Sequence, residues 1–70
     1  MGELVVLNKD ADSVWYLDAD TGEQLATVET DFNPHEVVVT PDGAHSVVTC
    51  SLGDSLLVLD NETKEIVHRF

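Results

Sequence analysis

The stretch "NPHEVVVTPDG" (residues 33–43) joins a proline-led apolar run to a Pro-Asp-Gly turn. Pro34 has a fixed φ and no backbone N–H, which suits the entry to a strand. Pro41 followed by Asp42 and Gly43 suits the centre of a type I turn between antiparallel strands. The three consecutive valines between the prolines favour β-structure, and the run is too short for a helix. This stretch therefore predicts one strand and the turn that leads into the next.

Similar short apolar runs recur about every ten residues along the whole chain, separated by turn-forming Asn, Asp, Gly and Pro. No segment shows a sustained 3.6-residue pattern, so we expect no α-helix of three turns or more. The predicted fold is all-β and antiparallel, with seven strands in two sheets. The predicted strands are residues 3–8, 13–18, 23–28, 35–40, 45–50, 55–60 and 65–70.

Several of these runs are apolar at consecutive positions, as in "VVV" (37–39) and "LLVL" (56–59). Consecutive rather than alternating apolar residues indicate a sheet that is covered on both faces. The runs at 23–28 and 65–70 are more polar, which is typical of strands at a solvent-facing edge.

The chain also repeats itself. Residues 3–28 laid over residues 45–70, an offset of 42, agree at eight of 26 ungapped positions. A period of this length that holds four short strands is typical of a β-propeller blade. The identical pairs are Val5/Val47, Val6/Val48, Asp12/Asp54, Ser13/Ser55, Leu17/Leu59, Asp18/Asp60, Thr21/Thr63 and Glu23/Glu65.

The order Pro-His, a run of valines, Pro-Asp-Gly, a strand pair and a Leu-Asp turn resembles the YVTN-type repeat of surface-layer and lactonase-like β-propellers. The resemblance covers nearly the whole chain and implies a propeller fold, but propellers of many activities share this repeat. The YVTN position itself reads "VVTC" at 47–50 and "VVLN" at 5–8. The Gly-His and Trp-Asp pairs of WD40 blades are missing, and Trp15 is followed by Tyr16, which argues against a WD40 propeller.

With strands ordered from the inside of a blade outward, residues 1–29 hold strands two to four of a first blade. Residues 30–70 hold a connecting loop and a complete second blade of four strands. A propeller ring needs at least four blades. We therefore expect this incomplete propeller to be a fragment of a longer protein or a subunit that completes its sheets by association.

The charge restricts the partners. The chain has 14 Asp and Glu against three Lys and Arg, a net charge of −11, and its basic residues are Lys9, Lys64 and Arg69. So few scattered cations form no phosphate-binding stripe, and an acidic chain without a long apolar run suits neither nucleic acid nor a membrane. The acidic residues are predicted to form a solvated surface, and adaptation to high salt is the alternative hypothesis.

Three histidines and the single cysteine are the candidates for chemistry. His35 would begin the innermost strand of the second blade, near the channel where some propeller enzymes that resemble this repeat place metal-binding histidines. Such a site needs one histidine from each of several blades, so we favour a packed or hydrogen-bonded histidine at a strand entry. His45 lies beside a turn and His68 on an outer strand, and neither position suggests chemistry. Cys50 can form no intrachain disulfide and has no nearby activating histidine in sequence.

The segment "DADTGE" (residues 18–23) has part of a calcium-loop pattern, with Asp18 and Asp20 at positions one and three. Gly22 falls at position five instead of six, and Glu29 at position twelve lies beyond a whole predicted strand. A hairpin turn is the favoured interpretation. We therefore assign no catalytic, cofactor-binding or metal-binding residue, and we expect no cofactor.

The favoured function is a non-catalytic β-propeller scaffold for binding or self-assembly. The alternative is a fragment of a propeller enzyme, lactonase-like or metal-binding, that is inactive without its remaining blades. We expect homo-oligomers formed through blade faces and strand edges, with a protein or small molecule as a further partner. The side chains expected on the unpartnered faces are those of Val37, Val39, Leu57 and Leu59.

Overall fold

The computed structural model describes residues 2–70 and contains two antiparallel sheets. Sheet A has the order β1-β2-β3 and sheet B the order β4-β5-β6-β7, so neighbouring strands follow one another along the chain. Sheet A consists of β1 (Glu3–Asn8), β2 (Ser13–Asp18) and β3 (Gln24–Glu29). Sheet B consists of β4 (Pro34–Val39), β5 (His45–Cys50), β6 (Ser55–Asp60) and β7 (Glu65–Arg69).

The predicted all-β fold is confirmed. Across the described residues the helical structure is a single 3₁₀ turn at Lys9–Ala11, and no helix there is long and apolar enough to cross a membrane. Four predicted strands have the observed bounds. The predicted 23–28 and 35–40 are each displaced by one residue, and β7 ends at Arg69 rather than at residue 70. The more polar strands β3 and β7 lie at sheet edges, as their composition predicts.

Aspartates at the ends of β2 and β6 build two matching turns. The Asp18 carboxylate accepts the backbone N–H groups of residues 20 and 21 at 2.8 and 3.0 Å. The Asp60 carboxylate accepts those of residues 62 and 63 at 2.8 and 3.0 Å. Each turn ends in a left-handed residue, Gly22 at φ 77° and Lys64 at φ 61°. Both aspartates thereby stabilise the turn that follows their strand, a role for which Asp is well suited.

The Pro-Asp-Gly turn also forms as predicted. The Gly43 N–H donates to the Thr40 carbonyl at 2.8 Å, which closes the turn, and Gly43 has a φ of 74°. The Thr40 hydroxyl donates to the Asp42 carboxylate at 2.7 Å. The turn thereby returns the chain from β4 into β5 in an antiparallel register.

One face of sheet A packs on one face of sheet B and forms the core. The core residues are Val14, Tyr16 and Val28 from sheet A and Val48, Cys50, Leu57 and Leu59 from sheet B. Leu57 and Leu59 are 0% exposed, so the expectation that they lie on an unpartnered face is wrong. Val37 packs against the same core, whereas Val39 is 48% exposed at the edge. Both faces of these strands are apolar, so the sequence pattern alone does not determine which face turns inward.

The two outward faces are apolar as well. Opposite residues in neighbouring strands share a face, so the register places four apolar residues on each outer face. The outer face of sheet A carries Leu4, Val6, Trp15 and Leu17. The outer face of sheet B carries Val38, Val47, Leu56 and Val58.

Leu57→Ala removes a side chain that is buried between the sheets, and we expect it to lower the free energy of unfolding by about 2–5 kcal/mol. For a chain of this size such a loss is a large fraction of the total free energy of unfolding. Urea titration followed by circular dichroism measures it. Leu52→Ala is the matched control, because Leu52 is 75% exposed in a turn. Equal stability of the two variants would contradict the proposed core.

Candidate functional site

A cleft of about 740 Å³ opens between the sheets where β2 and β6 end. Its walls come from β1 and β2 on one side and from the β4–β5 and β6–β7 turns on the other. Five carboxylates line it, and Tyr16 and Asn61 also contribute to its lining. The carboxylates are those of Glu3, Asp18, Asp42, Asp60 and Glu62.

Asn61 joins the two sheets beside this cleft. Its side-chain oxygen accepts the Tyr16 hydroxyl from sheet A at 2.7 Å and the Ser46 hydroxyl from sheet B at 2.7 Å. Its amide nitrogen donates to the Gly43 carbonyl at 3.0 Å. Tyr16 is 1% exposed and Ser46 is 0% exposed, and the two buried hydroxyls share this one acceptor. We call Tyr16, Ser46 and Asn61 the asparagine clasp.

Lys64 covers the asparagine clasp from the β6–β7 turn. Its ammonium lies 5.1 Å from the centre of the Tyr16 ring and 3.2 Å from a Glu3 carboxylate oxygen. The ammonium also donates to the backbone carbonyl of Asn61 at 3.1 Å. Lys64 therefore places a positive charge beside the acidic cleft and contacts groups of both sheets.

At the opposite end, the loop of residues 30–33 connects the sheets and is held from sheet A. The Asp12 carboxylate accepts the Asn33 N–H at 2.8 Å, and the Asp12 carbonyl accepts the Thr30 N–H at 2.9 Å. Asp12 and Asn33 have φ values of 52° and 61°, a left-handed conformation that Asp and Asn tolerate better than most residues.

Sheet B holds the same loop from the other side. The Ser55 hydroxyl donates to the Asp31 carboxylate at 2.8 Å, and Arg69 pairs with that carboxylate through Nε at 3.1 Å and Nη2 at 3.3 Å. A Cβ added at Gly53 would lie 3.0 Å from the Asp31 Cβ, so the loop and the β5–β6 turn approach closely only because residue 53 is glycine.

Burial raises the pKa of Tyr16, and the negative charges of Glu3 and Asp60 add to the shift, while the Ser46 hydroxyl opposes it. Backbone N–H donors in the turns lower the pKa of Asp18 and of Asp60. The Thr40 hydroxyl lowers the pKa of Asp42. At neutral pH the tyrosine is therefore neutral and the cleft aspartates are ionised.

Of the candidate residues from the sequence, the structure brings His35 and Cys50 to one depression and leaves His45 and His68 outside it. His35 is exposed on β4 and lines a second depression of about 500 Å³ together with Cys50 and Asp54. His45 begins β5, and the exposed His68 stacks on Phe70 at 6.0 Å between ring centres. Cys50 is buried. Within residues 2–70, no three His, Cys, Asp or Glu side chains are grouped so as to hold a metal ion.

The segment 18–23 forms the β2–β3 hairpin turn that the sequence favours. The Asp18 N–H donates to the Glu23 carbonyl and the Gly22 N–H to the Asp18 carbonyl, each at 2.8 Å. Glu29 is the last residue of β3, at the far end of that strand. The carboxylate of Asp18 is engaged by the N–H groups of its own turn.

The polar groups of the asparagine clasp bind one another across the two sheets, so these contacts stabilise the packing of sheet A on sheet B. No local sequence motif marks these three residues. The available signal was a difference between the repeats, since Tyr16 and Asn61 occupy the positions of Val58 and Ala19 in the other repeat. A polar residue where the other repeat has alanine indicates a contact made by one repeat alone.

Comparison of the structure with solved proteins gives a close match. The chain is similar to a chain of "Kuenenia stuttgartiensis Hydrazine Synthase", with a TM-score of 0.91 and 31% sequence identity over 96% of the present chain. The fold is propeller-like. The match covers 19% of the other chain, so the present chain spans about a fifth of its length. No protein-family model matches the sequence, and no curated protein matches it significantly.

Asn61→Ala, which introduces the residue found in the other repeat, removes the acceptor that two buried hydroxyls share. Each orphaned group costs about 1–3 kcal/mol, so we expect a clear loss in the free energy of unfolding by denaturant titration. Adding Tyr16→Phe removes one orphaned hydroxyl and should recover part of the loss. If the two changes are instead additive, the hydroxyl and the amide are not coupled across the sheets.

The raised pKa of Tyr16 makes stability depend on alkaline pH. Tyr16 has a pKa of about 10 in the unfolded chain and a higher pKa in the folded chain. At a pH between these two values the unfolded chain binds fewer protons than the folded chain. The free energy of unfolding therefore falls as the pH rises through this range. Denaturant titrations at successive pH values should show this fall, and Tyr16→Phe should reduce it. Because the chain has one tyrosine, tyrosinate absorbance gives a direct check. Ionisation at the pKa of an exposed tyrosine would contradict the clasp geometry.

Proposed function

We propose that this chain is a non-catalytic β-propeller scaffold of YVTN-type repeats whose blades associate face to face. The Pro-His start of β4, its three valines and the closed Pro-Asp-Gly turn support the YVTN assignment. The face-to-face association is supported by a relation between the inner and outer faces of the two sheets. That relation is the observation that carries the proposal.

The repeat offset of 42 residues exchanges inner and outer faces. Val5, Val14 and Tyr16 line the inner face of sheet A, and their equivalents Val47, Leu56 and Val58 line the outer face of sheet B. The reverse also holds. The outer-face residues Val6, Trp15 and Leu17 of sheet A correspond to Val48, Leu57 and Leu59, which are buried on the inner face of sheet B.

A second copy can therefore repeat the apolar part of the contact that already exists within the chain, without the asparagine clasp. The outer face of sheet B has the residue pattern of the surface that sheet B covers on sheet A. The outer face of sheet A has the residue pattern of the inner face of sheet B, which is the surface that packs on sheet A. Such a contact is heterologous and joins copies head to tail, so it closes only as a ring.

The second candidate is a section of a larger propeller enzyme. The observation in its favour is the 31% identity to a chain named as a hydrazine synthase, of which this chain covers 19%. In that case blades of different sequence cover the outer faces, and copies of this chain have no particular affinity for one another.

Salt should control self-association, because each copy carries a net charge of −11. The Debye length falls from about 30 Å at 0.01 M salt to about 3 Å at 1 M. We expect sedimentation to show monomers at low salt and larger species at high salt. A folded monomer at high salt and high concentration would contradict the scaffold proposal.

A mixing experiment distinguishes the two candidates. Trp15→Asp disables the outer face of sheet A, and Val58→Asp disables that of sheet B. In high salt each variant alone should stay monomeric, whereas an equimolar mixture should form a heterodimer through the two intact faces. Leu52→Asp, in an exposed turn, is the control and should assemble as the parent chain does. No dimer in the mixture favours the enzyme section, and dimers of one variant alone indicate a symmetric contact.

A further inference from the structure

The outer edge of β1 is an unpaired strand edge within residues 2–70. β1 corresponds to β5 by the repeat offset of 42, yet β5 has a neighbour on each side, β4 and β6. Sheet A thus contains the equivalents of β5, β6 and β7 and no equivalent of β4. We propose that the β1 edge binds an antiparallel strand of the β4 type, an extended segment with the pattern of residues 33–40.

The backbone of β1 offers its hydrogen-bonding groups at alternate residues. The Ala19 N–H donates to the Gly2 carbonyl at 3.0 Å, which makes these two a hydrogen-bonded pair just outside the ladder. Bonded and non-bonded pairs alternate in an antiparallel ladder. Leu4, Val6 and Asn8 therefore direct their N–H and C=O groups to β2. The intervening Glu3, Val5 and Leu7 direct theirs to the outer edge.

Sheet B shows how those outward groups are satisfied. The Thr40 N–H donates to the His45 carbonyl at 2.9 Å, so the Thr40–His45 pair is hydrogen-bonded at the end of the β4–β5 ladder. Alternation makes Val38–Val47 and Glu36–Thr49 hydrogen-bonded pairs as well. The residues of β5 in these pairs are the equivalents of Glu3, Val5 and Leu7.

The register on β1 follows from that equivalence. The incoming strand would place its Thr40 position opposite Glu3, its Val38 position opposite Val5 and its Glu36 position opposite Leu7. A valine opposite Val5 shares its face, on the side where Val5 and Val39 line the cleft. The flanking valine positions fall beside Val6 and Leu4 on the outer face, where Leu4 is 51% exposed. Consecutive valines therefore suit both faces.

This register also separates like charges. The glutamate of the incoming strand lies opposite an apolar side chain, and Glu3 lies opposite a threonine. The edges of β3 and β7 are less suitable, because half of the residues of β3 and most of those of β7 are polar or charged. This inference rests on the proposed blade scaffold, since the added strand would complete sheet A as a four-stranded blade.

The test uses the 70-residue chain, labelled with ¹⁵N, at a low salt and protein concentration where sedimentation shows a monomer. The probe is the acetylated and amidated peptide NPHEVVVT, and the readout is amide hydrogen exchange. At a peptide concentration about 100 times Kd, exchange at the paired amides should slow by about 100-fold. The slowing should fall on Glu3, Val5 and Leu7, while amides already bonded to β2 change far less.

Two N-methylated peptides provide a matched pair of controls. Methylation at the Val38 position removes an N–H that would face β1, so binding should be lost. Methylation at the Val37 position removes an N–H that faces away, so binding should persist. Equal behaviour of the two peptides, protection at β4 instead of β1, or no protection at millimolar peptide would overturn the inference.

The outcome is separate from that of the scaffold proposal. Protection of β1 by the peptide without assembly of intact copies rejects the scaffold proposal alone. Assembly through the outer faces with an unprotected β1 edge rejects the strand-binding inference alone.

Discussion

The structure depends on the burial of one face of sheet A against one face of sheet B. A chain of this length buries only about 60% of the surface that its unfolded form exposes, and neither sheet can cover its own apolar face. The core therefore draws on both halves, with Val14 and Tyr16 from sheet A packed among Val48, Leu57 and Leu59 from sheet B. Because every large core side chain needs the other sheet, the two repeats are expected to fold as one unit.

Apolar packing is non-directional, so polar contacts must fix how the sheets lie on each other. They occur at both ends of the sheets. At one end the side chain of Asn61 accepts hydrogen bonds from hydroxyl groups of both sheets, and Lys64 forms an ion pair with Glu3 of sheet A. At the other end Asp12 and Arg69 hold the connecting loop from opposite sides. Two separated attachment points prevent the sheets from sliding or rotating about a single contact.

Much of the fold could be predicted from the sequence because its signals are local. Asp18, Asp60 and the Pro-Asp-Gly stretch mark where strands end, and each forms a turn in the structure. The inward face could not be predicted, since both faces of β6 are apolar and Leu57 alternates with Leu56 and Val58. The asparagine clasp joins residues 45 positions apart. No local pattern reports such a contact, although the change from Ala19 to Asn61 between the repeats marks its position.

If the two sheets stabilise each other through their shared core, they unfold together, and calorimetry detects this. In dilute low-salt solution we expect a single unfolding transition whose calorimetric enthalpy equals its van't Hoff enthalpy. Two resolved transitions, or a calorimetric enthalpy well above the van't Hoff value, would show that one sheet remains folded without the other. That result would contradict a core that depends on both sheets.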